Sequence, residues 1–170
     1  MNGKILLVVL LLVTSCIFSC KKDNNTAHPD DESFLSSMAY FNHAELETGK
    51  LAVVKGTRDS IKIFGQMMIN DHTGLLTQVN SLAVAAGITL PTGPDSTHLA
   101  YTQQLTLLSG RSFDTAYING QVRDYKAILA VVRNEISNGH RVEIKNFAID
   151  VLPAIQSQSD TAIAIAVYGW

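Results

Sequence analysis

Five polar residues interrupt four otherwise apolar stripes in this chain. Glu45 falls between Phe41 and Gly49, and the Asp71-His72 pair falls between Met68 and Leu75. Tyr125 falls between Val122 and Leu129, and Gln158 between Ile155 and Ala162. A carboxylate on a buried face is costly unless it is paired or holds a cation. Glu45 therefore needs a partner, and His72 is the natural candidate. Carboxylate and imidazole from facing helices form the ligand set of metal sites in helical bundles, and iron or manganese is the metal such a set would take. The other reading is a hydrogen-bonded polar network of Glu45 and His72 with Tyr125 and Gln158 that fixes helix register. That reading leads, because most buried polar groups are simply satisfied.

Four long helices must position these residues. The first runs from Asp31 to Lys55 and stops at Gly56, with Phe34, Met38, Phe41, Gly49 and Ala52 on one face. The second begins near Asp59-Ser60 and stops at Gly87, with the stripe Phe64, Met68, Leu75, Val79, Leu82, Ala86. A breaker-rich stretch, Ile88 to Ser96, contains Pro91, Gly93 and Pro94 and leads into a short helix from Thr97 to Ser109. Ser112 caps the third long helix, which ends at Asn138-Gly139. The fourth spans Arg141 to Tyr168 and carries Pro153, which removes a backbone donor and predicts a kink. No segment alternates with the two-residue period of a strand.

Four stripes of this kind are buried most economically against one another, which predicts an all-α, ferritin-like four-helix bundle. Short turns make the first and last helix pairs antiparallel hairpins, and the long middle connection with its short helix is the crossover. The two hairpins invite the idea of an old duplication, without identity strong enough to establish it. Each polar residue above lies near the middle of its helix, so all should meet at one level of the core.

The N-terminus reads as an address. Lys4 precedes an apolar run from Ile5 to Phe18, too short for a spanning helix but of signal-peptide length. It ends Ile17-Phe18-Ser19-Cys20, followed by Lys21-Lys22-Asp23. An apolar residue, a variable one, a small one and then Cys resembles the lipobox of bacterial lipoproteins, in which the Cys becomes the lipidated N-terminus. Cys16 is the competing position, but the apolar run continues past it and stops at Lys21. The expected organisation is a leader over 1–19, lipidated Cys20 with a flexible tether over 20–30, and a bundle over 31–170. The membrane is then a partner through the lipid, with the outer membrane as the expected location.

Composition narrows the remaining classes. The chain has 170 residues, 46% of them apolar, which is enough for one domain with a core. Thirteen basic against fifteen acidic residues, a net charge of -2, leave no basic excess for nucleic acid. Both cysteines, Cys16 and Cys20, lie in the leader region, so neither a disulfide framework nor a cysteine nucleophile serves the body. Gly-x-Ser-x-Gly, Walker-type and dinucleotide glycine patterns are absent. His43 and Glu47, four apart, share a face opposite the stripe and read as an ordinary surface pair. His28 lies in the tether, His98 opens the crossover helix and His140 sits in a turn; none has a partner at a recognisable spacing. Met67 and Met68 read as core filling.

The runs Ala44-Glu45-Leu46-Glu47-Thr48-Gly49-Lys50-Leu51-Ala52 and Met68-Ile69-Asn70-Asp71-His72-Thr73 carry a further signal. With Phe113-Asp114-Thr115-Ala116-Tyr117, Gln121-Val122, Phe147-Ala148 and Leu152-Pro153, they resemble the bacterial domain-of-unknown-function family 4142 over residues 31–166. The resemblance implies an exported, ferritin-like protein whose biochemical role is not established. It also implies histidines where this chain has Tyr125 and Gln158. Glu45 and Asp71-His72 match the family pattern, whereas those two positions depart from it. Tyr can bind ferric iron as phenolate, but Gln is a poor transition-metal ligand. No Glu-x-x-His occurs, so a di-iron oxidase is not expected. The expected function is a lipid-anchored binding or structural module of the envelope. Its rival is a metal-binding redox or stress-protection protein with a degenerate core site.

Overall fold

A computed structural model describes residues 27–169 of the chain. Five α-helices and no strand occur among the described residues: α1 (Pro29–Lys55), α2 (Asp59–Ala86), α3 (Ser96–Leu107), α4 (Gly110–Asn138) and α5 (Val142–Tyr168). The leader and Cys20 lie outside the described residues. Helix α1 starts two residues before the sequence reading, within the expected tether. Pro29 sits at its first position, where a missing N–H costs nothing, and Asp30, Asp31 and Glu32 follow in the first turn, where the helix dipole favours acidic groups. His28 caps this end, its Nδ1 accepting from the Asp30 N–H at 3.3 Å. Helix α5 runs continuously through Pro153. Helix α2 ends as its glycine demands: Gly87 takes φ +70°, and the Ile88 N–H returns to the Ala83 carbonyl. No described helix is long and apolar enough to cross a membrane.

Helices α1 and α2 pack along their length, as do α4 and α5; α1 also packs on α4, α2 touches α5, and α3 lies across α1 and α4. The α1–α2 crossing is close because two glycines face each other. A Cβ on Gly65 would stand 2.8 Å from the Gly49 carbonyl oxygen and 2.7 Å from the Ala52 Cβ. This apposition sets the antiparallel register of the first hairpin.

Two aspartates tie the hairpins together. Asp31, at the start of α1, accepts from the backbone N–H groups of His140 (2.8 Å) and Arg141 (3.1 Å) in the α4–α5 turn. Asp114, early in α4, accepts from the N–H groups of Thr57 (3.0 Å) and Arg58 (3.2 Å) in the α1–α2 turn. Each buried carboxylate thus satisfies amides that a helix start leaves open. The start of α1 meets the end of α4 and the reverse, so α1 and α4 are antiparallel, and α2 and α4 run the same way.

This reciprocity exposes an internal repeat that periodicity alone had not established. One sequence offset relates Asp31 to Asp114, Gly56 to Gly139, Arg58 to Arg141, Ile61-Lys62 to Ile144-Lys145 and Phe64 to Phe147. The shared pattern is an aspartate that caps the other hairpin's turn, then Gly-x-Arg-x-x-Ile-Lys-x-Phe through the turn itself.

Candidate functional site

The facing glycines decide which polar residues meet. In an antiparallel pair, each step up α1 is a step down α2. With Gly49 opposite Gly65, Asn42 comes opposite His72, and Glu45 comes opposite Ile69. Glu45 therefore does not pair with His72, contrary to the expectation from the sequence. The two lie about one helical turn apart in height, roughly 5 Å at the helical rise.

His72, fully buried on α2, is held from both sides. The Asn42 amide nitrogen donates to the Met38 carbonyl at 2.6 Å, which turns the Asn42 oxygen toward the ring. His72 Nδ1–H donates to that oxygen at 2.8 Å. The remaining nitrogen, Nε2, is then a lone pair, and the Tyr125 hydroxyl donates to it at 3.0 Å. Gln158 Nε2 donates to the Asp71 carboxylate at 2.8 Å, which presents Gln158 Oε1 to the same hydroxyl at 3.2 Å. Met68 Sδ lies 2.9 Å from it. One phenolic proton is thus offered three acceptors, of which the imidazole nitrogen is the strongest base. Phe41 closes the pocket, its ring set edgewise to both His72 and Tyr125 at 5.3 Å.

Of the Asp71-His72 pair, His72 points inward and Asp71 faces solvent, yet the Gln158 side chain links them. The chain Asn42–His72–Tyr125–Gln158–Asp71 spans α1, α2, α4 and α5. Burial lowers the His72 pKa from 6.5 to about 3, so the ring is neutral. Burial, with the charges of Glu45, Tyr117 and Asp71 nearby, raises Tyr125 well above the usual phenol value. A neutral phenol and an imidazole whose two nitrogens are both bonded internally offer a metal little. His72 also lacks the solvent access a general base needs.

Glu45 occupies a second, less satisfied level beside Gln121 and Tyr117. Burial pushes its pKa from 4.5 to about 8, opposed by a hydrogen bond from Gln121 and reinforced by the Asp124 charge. Gln121 Nε2 also reaches Thr48 Oγ1 at 3.4 Å. Glu45 Oε2, Gln121 Oε1 and the Tyr117 hydroxyl are buried with no hydrogen-bond partner. These oxygens could bind an ordered water or a small cation, as could the equally unpartnered Glu135 Oε1 elsewhere in the bundle. Iron or manganese would find here one carboxylate and no histidine.

Sequence reasoning missed Asn42, Gln121 and Tyr117, and took Met68 only as filling. Asn42 carried a readable signal: it is polar and lies four residues after Met38 and three before Glu45, on the same stripe. Gln121 lies four before Tyr125 and carried the same signal.

The family model for a domain of unknown function, DUF4142, matches residues 19–165. The chain belongs to the DUF4142 family. Among solved structures, the crystal structure of a DUF305 fragment from Deinococcus radiodurans superposes with a TM-score of 0.73 at 11% identity, over 83% of this chain and 97% of that one. At that identity the likeness concerns the fold alone. No curated protein matches the chain.

Proposed function

We propose that this DUF4142 protein is an exported, lipid-anchored, ferritin-like four-helix bundle of the bacterial envelope, and that its core polar cluster serves structure rather than catalysis. The observation that carries the second half is the closed path Asn42–His72–Tyr125–Gln158–Asp71. Each of the four long helices contributes to it, and both nitrogens of its imidazole are bonded within it. Such a path penalises any slip of one helix against another, because a slip would strand buried polar atoms. The anchoring half is supported by the leader Ile5–Phe18, the Ser19-Cys20 junction and the charged Lys21-Lys22 that follows. The antiparallel hairpins, with α2 and α4 running the same way, support the ferritin-like reading of the topology.

The module works at a membrane surface without a spanning helix. Fractionation of cells expressing wild type and Cys20→Ala tests the anchor. Wild type should sediment with membranes and incorporate labelled palmitate, and the variant should do neither. Palmitate retained in Cys20→Ala would move the anchor to Cys16. Metal analysis of protein purified without chelator tests the core. Stoichiometric iron or manganese that disappears in Glu45→Ala and His72→Ala would replace the structural module with a metal-binding redox protein.

A further inference from the structure

His28 and His140 are far apart in the chain, and neither has a partner at a recognisable spacing. The fold stacks their rings with centroids 3.3 Å apart and planes 18° from parallel. Asp30 Oδ2 stands 3.4 Å from His28 Nδ1 and 3.9 Å from His140 Nδ1, ion-pair distances when the imidazoles are protonated. We propose that His28, Asp30 and His140 form a binding site for a divalent transition metal of the zinc, nickel or copper class. The ion would clamp the chain leading into α1 to the α4–α5 turn.

Three observations support this. First, all three donor atoms lie within 4.8 Å of one another, so one ion is within reach of all three once the two stacked rings swing apart and their in-plane lone pairs converge. Second, the backbones that carry them are already fixed together. Asp31, next to Asp30, accepts from the N–H groups of His140 and Arg141, so the two segments need no rearrangement. Third, His28 Nδ1 accepts from the Asp30 N–H, so the neutral ring is unprotonated on the nitrogen beside the carboxylate, and a metal there would take the place of that cap bond. A lone pair and a carboxylate oxygen this close repel unless a proton or a metal ion lies between them. Asp31 and Glu32 in the same first turn add negative potential.

Two imidazole nitrogens and one carboxylate suit borderline ions and not calcium or magnesium, which prefer all-oxygen shells. All three side chains are about half exposed, so the ion keeps open positions and exchanges with solvent. The site is separate from the core network: none of its residues contributes to the path through His72.

The test uses full-length chain in detergent, without a histidine tag, stripped with chelator. Titration calorimetry with zinc should give one equivalent per chain. Affinity should fall by at least about tenfold in His28→Ala, in His140→Ala and in Asp30→Asn. Calcium should give no binding isotherm, and His98→Ala, a histidine on α3, should bind as wild type does. Copper loaded at the site should show hyperfine coupling to two nitrogens in electron paramagnetic resonance, and to one in either histidine variant. Because His28 and His140 are peripheral, circular dichroism should confirm that the variants fold. The proposal is overturned if zinc binds the His28→Ala/His140→Ala double variant as tightly as wild type. Loss of zinc in Glu45→Ala alone would instead place the ion in the core.

Discussion

Asn42 and Tyr125 stand at matching positions of α1 and α4, related by the same offset that relates Asp31 to Asp114, and each holds one nitrogen of His72. The pseudo-repeat thus places two polar side chains symmetrically about one asymmetric imidazole. On α5 the position matching His72 is Ile155, so the second half of the repeat supplies no second imidazole.

Tyr125→Phe keeps the ring and removes the proton donated to His72 Nε2. An unpartnered buried acceptor costs about 1–3 kcal/mol. A urea titration near pH 6 should show that loss, with the denaturant slope unchanged. Gln158→Leu should cost less, because the Tyr125 hydroxyl still has His72 and Met68 as partners. Equal losses would mean that Gln158, not His72, takes the phenolic proton.

Stability should depend on pH from both sides. The folded His72 pKa, about 3, lies below its unfolded value of 6.5, so the native state binds fewer protons and stability falls as pH drops from 6.5 toward 3. The folded Glu45 pKa, about 8, lies above 4.5, so the native state binds more protons and stability falls as pH rises from 4.5 toward 8. Each group contributes a slope of about 1.4 kcal/mol per pH unit, and between 4.5 and 6.5 the two oppose and offset. These two groups therefore favour a plateau there, with a loss of roughly 2 kcal/mol between pH 6.5 and 8. Glu45→Gln should remove the Glu45 share of the alkaline loss, leaving the part below about pH 7 that Glu135, whose pKa burial raises to about 7, also contributes, and should be more stable than wild type above pH 8. Denaturant curves at a series of pH values decide this, and an unchanged alkaline limb in Glu45→Gln would refute it.

Gly65→Ala should destabilise by about 1–3 kcal/mol, since its Cβ meets the Gly49 carbonyl and the Ala52 Cβ and the helices must separate. Gly74→Ala on the same helix is the control. Nothing lies within 4 Å of that added Cβ, so the gain in helix propensity should stabilise by up to about 1 kcal/mol. Thermal melts of the two should move in opposite directions.

Asp31→Ala should expose the amides of His140 and Arg141, and Asp114→Ala those of Thr57 and Arg58. Hydrogen exchange should accelerate at the turn of the opposite hairpin in each case. Each loss should cost about 1–2 kcal/mol, as for a helix N-cap. Exchange confined to the substituted helix would contradict the cross-hairpin capping.

Much of this protein was determined by its sequence alone. Apolar residues at three- and four-residue spacing, stopped by Gly56, Gly87 and Gly139, specified the helices to within a few residues, because helix periodicity and termination are local properties. The same periodicity put Glu45 and one of the pair Asp71-His72 on buried faces; Glu45 is buried there, and of the pair it is His72. Only the tertiary structure decided which inward residues meet. The height of one helix against its neighbour depends on where backbones approach most closely, and the Gly49–Gly65 contact sets Asn42, not Glu45, beside His72. Likewise, no spacing rule connects His28 to His140 or Asp31 to the far turn, because those pairs are brought together by the antiparallel packing of α1 on α4.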